Sequence, residues 1–133
     1  MPHLTVEYTA NLDRRLNVPA LLETLHRTAS GIDAFPLAGI RTRAHRLEHY
    51  RFADGHADNQ FVHVVVRLAH GRSDEVRREA GEVLFRALCE FMQPIAEESP
   101  LALSLDMQEM APDLSFKQGN IRDYIATRSG QEA

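Results

Sequence analysis

The chain has 133 residues, a formal net charge of −4 and 44% hydrophobic residues, a composition typical of a single globular domain. The acidic balance argues against nucleic acid or an anionic membrane as the partner, because both usually bind to basic surfaces. The single Cys89 excludes an intrachain disulfide, and no apolar run approaches the roughly 18 residues of a membrane-spanning helix.

The first half of the chain predicts a β-α-β unit over about residues 2–50. Residues 2–8 alternate between apolar and polar side chains, which favours a half-buried strand, and no signal peptide is recognisable there, so we expect a cytoplasmic protein. Asn17 is a good N-cap for a helix that Gly31 ends. A loop then leads to a second strand from Ile40 to His45. The helix presents apolar residues at helical spacing: Val18, Leu21, Leu22, Leu25 and Ala29.

After a polar turn at residues 53–59, the same order repeats over about residues 60–110. Residues 60–69 give the clearest strand pattern in the chain, because the even positions from Val62 to Leu68 are uniformly apolar. Ser73 is a candidate N-cap for a long helix whose apolar residues recur at i, i+3, i+4 and i+7 until Ser99 and Pro100 stop it. Alternation over residues 101–108 predicts the fourth strand.

Two β-α-β units in one domain, residues 1–133, predict an α+β fold: a four-stranded mixed sheet with two helices on one face. The crossovers are right-handed, as nearly all such connections are. The other face is left uncovered, and Phe61 and Val65 make it partly apolar, which predicts contacts between subunits. The tail, residues 115–133, is expected to hold a short segment and a frayed end.

Pro2 is a candidate general base. Methionine before proline is normally removed, and removal of Met1 leaves Pro2 as a free secondary amine. An α-amino group has a pKa of about 7.7–8, and burial beside cationic groups lowers it toward neutrality. A neutral amine at pH 7 can act as a general base. The alternative is that Pro2 is an ordinary second residue with no chemical role.

Three arginines are candidate anion ligands. Arg41 and Arg43 are two apart on a predicted strand and therefore share a face, and Arg72 lies just before a predicted helix N-terminus. Guanidinium groups bind carboxylates through paired hydrogen bonds, so the three together suit a small dicarboxylate. The alternative is that they are solvated surface arginines with ordinary salt bridges.

The chain has no motif that calls for a metal or a cofactor. His45 and His49 are four apart but fall in a predicted strand, and no set of His, Cys, Asp and Glu has a recognised zinc spacing. No phosphate loop, nucleophile elbow or dinucleotide fingerprint is present. We therefore expect no metal and no cofactor.

Several segments, taken together, resemble the tautomerase superfamily, whose members use an N-terminal proline as base. The closer resemblance is to the 5-carboxymethyl-2-hydroxymuconate Δ-isomerase family. It runs over nearly the whole chain, and its longest segment is the most specific. The matching segments are MPHLTVE (1–7), FPLAGIRTRAH (35–45), ADG (53–55), FVH (61–63), GRS (71–73), AGEVLF (80–85), LALS (101–104) and FKQ (116–118).

The resemblance implies a homotrimer with sites near subunit interfaces and a proton shift without a cofactor. The implied substrate is a small unsaturated tricarboxylate from ring cleavage of homoprotocatechuate, in which a double bond moves into conjugation with a 2-oxo acid. By position, Pro2 is the acid/base group, Arg41 and Arg72 bind carboxylate or polarise the 2-oxo group, and Arg43 binds substrate. The resemblance also suggests three residues as walls of the substrate pocket: Phe35, His45 and Phe116.

The chemistry of the residues agrees with this reading. Removing a proton next to an extended carbonyl produces a dienolate, and positive groups at its oxygens stabilise that charge. Two alternatives remain open: another tautomerase or decarboxylase of small 2-oxo acids, or a trimeric module that binds a small ligand without catalysis.

Overall fold

Seven helices and strands follow one another in residues 2–132, the part of the chain that the computed structural model describes. They are β1 (His3–Thr9), α1 (Val18–Ser30), β2 (Arg41–Leu47), β3 (Gln60–Leu68), α2 (Asp74–Ala96), β4 (Leu101–Glu109) and α3 (Ile121–Glu132). Short 3-10 turns lie at Ala10–Leu12 and Leu37–Gly39. The four predicted strands and two predicted helices are confirmed and differ from the prediction only at their ends.

The four strands form one mixed sheet in the order β2-β1-β3-β4. β1 is parallel to β2 and β3 is parallel to β4, whereas the central pair, β1 and β3, is antiparallel. Helix α1 connects the first parallel pair and α2 connects the second, and the two helices pack against each other and against the sheet. This is the predicted architecture of two β-α-β units that share a sheet.

Both long helices begin with the caps that the sequence predicts. The Asn17 side chain accepts a hydrogen bond from the Ala20 amide at 3.1 Å, and the Ser73 hydroxyl accepts one from the Val76 amide at 3.2 Å. Each bond satisfies an amide in the first turn that has no partner within the helix. Local chemistry therefore sets where α1 and α2 start.

The core lies between the sheet and the two helices. The even-numbered positions of β1 and β3 point into it, as their alternation predicts, and meet the apolar stripes of α1 and α2. The fully buried side chains of these four elements include Leu4, Val6, Val62, Val64, Val66, Leu21, Leu25, Leu84, Leu88 and Met92.

The opposite side of the sheet, which we call the open face, is more polar than the sequence suggested. Phe61 is covered by the rings of Tyr50 and Phe52, whose centroids lie 6.4 and 5.4 Å from its own, and Val65 is only half-exposed. The strand registers place these side chains on the open face: His3, Thr5, Glu7, Arg41, Arg43, His45, Phe61, His63, Val65, Arg67, Ala102, Ser104, Asp106 and Gln108.

The tail differs from the prediction of a short segment and a frayed end. Residues 121–132 form the regular helix α3, which contacts the 3-10 turn at Leu37–Gly39. Its apolar residues do not continue into a stripe, so the periodicity that identifies a packed helix is missing. Within residues 2–132, no helix has both the length and the hydropathy needed to cross a lipid bilayer.

Candidate active site

One end of the sheet brings the predicted catalytic residues to the same region. β1 and β2 begin at this end, whereas β3 and β4, which run in the opposite direction, finish there. Pro2 therefore lies beside Arg41 at the start of β2, and the loop that follows β3 carries Arg72 to the same end. We call this region the site end of the sheet.

Pro2 is buried and held by its neighbour. The Arg41 backbone N–H donates a hydrogen bond to the Pro2 carbonyl oxygen at 3.0 Å, which extends the pairing of β1 and β2 to the proline. A buried proline ring has little freedom, so its nitrogen keeps a fixed position relative to β2. The expected removal of Met1 concerns a residue outside the described range.

Arg41 and Arg43 both project from the open face, as their spacing predicts. Arg41 donates one hydrogen bond through Nη1 to the Gly39 carbonyl at 3.1 Å, and its side chain is otherwise exposed. Arg43 donates through Nη1 to Nδ1 of His3 at 3.1 Å. Since a guanidinium has no acceptor, Nδ1 of His3 must be unprotonated, and the proton of the neutral ring lies on Nε2.

His3 is surrounded by positive charge. In the strand registers it lies between Arg41 on β2 and Arg67 on β3. The pKa of His3 is lowered from its ordinary value of 6.5, first by burial and then by Arg43, Arg41 and Arg67. The imidazole is therefore neutral at pH 7, and it adds no further positive charge beside Pro2.

Arg72 is the most rigidly held of the three arginines. Nε and Nη2 donate to the Ala34 carbonyl at 3.1 and 2.6 Å, and Nη1 donates to the Ala69 carbonyl at 3.3 Å. These bonds use three of the five N–H donors of a guanidinium, so two remain for a ligand. Phe35, next to Ala34, is only 3% exposed and anchors the loop in the core.

The site end is rich in cations without acidic partners. The ion pairs of the described side chains engage other basic residues, such as Arg27, Arg46 and Arg77. Arg77 and His70 pair with Glu109 at this end, but no described carboxylate lies within 4.0 Å of six further basic groups there. Those groups are Arg41, Arg43, Arg67, Arg72, Lys117 and Arg122.

The three predicted pocket walls lie in different surroundings. Phe35 belongs to the core of its own subunit, so it supports the Arg72 loop instead of lining an open pocket. His45 is exposed on the open face, four residues beyond Arg41 along β2, or roughly 13 Å at an ordinary strand rise. Phe116 is 89% exposed and directly precedes Lys117.

Two groups of residues near the site were not predicted from the sequence. His3 and Arg67 join the cluster through the antiparallel register of β1 and β3, which no local pattern encodes. Lys117 and Arg122 line the same pocket as Arg41, which has a volume of about 540 Å³, because the tail packs against the Leu37–Gly39 turn. The resemblance marks this region through the segment FKQ at residues 116–118, but it gives a role only to Phe116, as a pocket wall.

The arrangement suits proton transfer on an anion. Pro2 is buried at the end of the sheet that carries these cations, and burial and nearby positive charge both favour the neutral form of an amine, which can accept a proton. Fixed guanidinium groups can stabilise negative charge that develops on an oxygen. No group of three or more His, Cys, Asp and Glu side chains in residues 2–132 is arranged to hold a metal ion.

Comparison with known proteins gives three consistent findings. The family model described as 5-carboxymethyl-2-hydroxymuconate isomerase matches residues 2–125. The chain is 38% identical over 121 residues to the 5-carboxymethyl-2-hydroxymuconate Delta-isomerase of Escherichia coli, covering 91% of this chain and 96% of the relative. The crystal structure of a 5-carboxymethyl-2-hydroxymuconate isomerase from Deinococcus radiodurans R1 superposes with a TM-score of 0.86 at 36% identity, covering 93% of each chain.

A more distant likeness concerns the fold alone. The structure described as a fused 4-OT symmetric trimer matches with a TM-score of 0.66 at 21% identity, covering 88% of this chain and 94% of that chain. The shared β-α-β repeat therefore extends to proteins of low sequence similarity.

Proposed function

Because this chain belongs to the 5-carboxymethyl-2-hydroxymuconate isomerase family, we propose that Pro2, Arg41 and Arg72 catalyse the proton shift for which the family is named. The resemblance read from the sequence is confirmed. The observation that carries the residue assignment is the hydrogen bond from the Arg41 amide to the Pro2 carbonyl, which holds the backbone of Arg41 beside that of the proline. The substrate is a small tricarboxylate, and the reaction moves a double bond into conjugation with a 2-oxo group.

Pro2 carries the proton in this proposal. With Met1 removed, the lone pair of its nitrogen is available, whereas in an amide that lone pair is delocalised. The amine takes a proton from the dienol and returns it to a carbon further along the conjugated system. No electrons are gained or lost overall, so one acid/base group is sufficient.

The arginines bind and stabilise the anion that forms between the two proton transfers. Arg72 is held by three hydrogen bonds to backbone carbonyls, so its charge is already oriented before substrate arrives. Arg41, which is exposed, binds a carboxylate or the 2-oxo group. Arg43 adds a positive charge two residues beyond Arg41 on the same face of β2.

We further propose that the active form is a homotrimer in the cytoplasm. The open face leaves charged and half-buried side chains uncovered in the single chain, and a symmetric trimer is described for a protein of the same fold. In such an assembly His45 of one subunit would lie at a subunit contact. Phe116 would then border the site from the tail, and the buried Phe35 would support it from the loop before β2.

The decisive experiment combines Pro2→Ala with an ultraviolet assay on 5-carboxymethyl-2-hydroxymuconate. Intact mass spectrometry first establishes that both proteins have lost Met1. We expect the variant to fold normally and to lose about 100-fold or more in kcat, the usual contribution of a positioned acid/base group. Equal activity of the two proteins would refute the role of Pro2.

The same assay separates the proposed activity from its alternatives. Rapid turnover of a simple enol of a 2-oxo acid, without turnover of the tricarboxylate, would indicate a different tautomerase. Binding of the tricarboxylate without any turnover by the trimmed protein would indicate a binding module.

A further inference from the structure

A pocket beside Arg41 is not used by the catalytic assignment. It has a volume of about 540 Å³ and two walls. One wall is the loop that enters β2, with Pro36, Ala38, Gly39 and Arg41. The other wall is the tail segment from Lys117 to Asp123, which includes the first turn of α3.

The charge in this pocket favours an anion. Its lining contains three cations, Arg41, Lys117 and Arg122, against one carboxylate, Asp123. None of the three cations forms an ion pair with any side chain that the structure describes. Among the described residues, the Arg41 guanidinium donates a hydrogen bond only to the Gly39 carbonyl, so most of its donors are available to the pocket or solvent.

The pocket lies at the same end of the sheet as Pro2, and Arg41 connects the two. The Arg41 amide donates to the Pro2 carbonyl at 3.0 Å, and adjacent strands are about 4.8 Å apart, so the backbones of the two residues are neighbours. A ligand that reacts at Pro2 and extends past Arg41 would therefore enter the space between the loop and the tail. The contact between α3 and the Leu37–Gly39 turn holds the two walls together.

We propose that Lys117 and Arg122 form a second carboxylate subsite, which binds the carboxylate of the substrate that lies furthest from the reacting atoms. This inference rests on the proposed function, and it identifies the residues that determine which substrate the site prefers. Arg41 lies between Pro2 and this subsite and binds the substrate in both places. The tail thereby selects a tricarboxylate over a dicarboxylate of the same conjugated skeleton.

The first test measures kinetics on two substrates with Lys117→Gln, Arg122→Gln and the double variant. The substrates are 5-carboxymethyl-2-hydroxymuconate and 2-hydroxymuconate, which lacks the carboxymethyl group. Loss of a charged hydrogen-bonding partner should raise KM for the tricarboxylate about tenfold in the double variant, with kcat unchanged. KM for 2-hydroxymuconate should not change.

Arg128→Gln is the matched control. Arg128 lies on the same helix and stacks over the Tyr124 ring, with 5.9 Å between its guanidinium carbon and the ring centroid, but it does not line the pocket. The substitution removes one positive charge, as each single variant does, and it should leave both KM values unchanged because Arg128 is outside the pocket. An equal rise in KM for both substrates, or the same rise in the control, would overturn the subsite.

The second test does not depend on catalysis and therefore separates failure of the subsite from failure of the proposed function. Calorimetric titration compares propane-1,2,3-tricarboxylate with glutarate on the wild-type protein and the double variant. We expect the variant to lose affinity about tenfold for the tricarboxylate only. Equal affinities of the two proteins for the tricarboxylate would refute the subsite, whether or not the protein is an active isomerase.

Discussion

The two ends of the sheet differ in how completely their charged side chains are paired. At the end away from Pro2, polar groups are matched to one another. Arg46 forms an ion pair with Asp13 at 2.8 Å, and Arg15 donates hydrogen bonds to the Ser99 hydroxyl, at 2.8 Å, and to the side-chain oxygen of Gln60. These contacts tie together the ends of β1, β2 and β3.

At the site end, the cations around Pro2 have no such partners among the described residues. The carboxylate that ends β4, Glu109, is already engaged by Arg77 at 2.6 Å. A chain with net charge −4 thus keeps a local excess of positive charge at one place. We therefore infer that charges paired within the subunit stabilise the fold, whereas the cations without a partner among the described residues are available to an anionic ligand.

Among the changes that contrast the two ends of the sheet, replacing Arg72 with lysine should cause the largest loss of activity. Lysine keeps the charge, but it cannot make three fixed hydrogen bonds to the Ala34 and Ala69 carbonyls while presenting a fork to substrate. We expect kcat/KM to fall about 100-fold, as for the loss of one oriented donor. Steady-state assays measure this, and near-normal kcat/KM would show that Arg72 only supports the loop.

At the end of the sheet away from Pro2, replacing Arg15 with methionine should lower stability and leave activity unchanged. Gln60 is only 1% exposed, so loss of Arg15 removes a partner from a buried side-chain oxygen. Leaving such a group unsatisfied costs about 1–3 kcal/mol in the free energy of unfolding. Urea denaturation at fixed protein concentration should detect this loss, while kcat/KM stays unchanged. A loss of activity in the folded variant would contradict the division between the two ends.

The contrast between local and distant signals explains what the sequence could predict. The strands and the starts of α1 and α2 follow from alternation and from the caps Asn17 and Ser73, which act within three residues. Arg72 and Ala34 are 38 residues apart and meet only when the sheet has formed. Patterns in the chain therefore located the candidate arginines but not their partners.

The same limit explains the residues that were missed. His3 joins Arg43 across 40 residues through the register of β1 and β2. Helix α3 has no apolar stripe, and its place is set by contact with the Leu37–Gly39 turn. The roles of Lys117 and Arg122 depend on that contact, so no inspection of the tail alone could propose them.

Raising the ionic strength should affect the two ends differently: it should raise KM, which depends on the site end, and leave the melting temperature almost unchanged. The Debye length falls from about 30 Å at 0.01 M to about 8 Å at 0.15 M ionic strength, so exposed cations attract a polyanion less strongly. We expect KM for the tricarboxylate to rise severalfold over this range, with kcat unchanged. The pairs at the opposite end are short and need no long-range attraction, so the melting temperature should change little. A KM that does not depend on salt would argue against an electrostatic site.

The smallest expected effect concerns His3 and the pH dependence of stability. Its folded pKa is lowered from 6.5, chiefly by burial and then by Arg43, Arg41 and Arg67. Below about pH 6.5 the unfolded chain binds a proton at this position more readily than the folded chain does, so stability present at higher pH is lost as pH falls toward the folded pKa. His3→Gln, which keeps an acceptor for Arg43, should reduce the difference in unfolding free energy between pH 7.5 and pH 5. Urea denaturation of both proteins at one concentration measures it, because the stability of an oligomer depends on concentration. An unchanged or steeper pH dependence in the variant would mean that the arginines around Pro2 do not act on His3, and that the positive charge at the site end is weaker than its unpaired cations indicate.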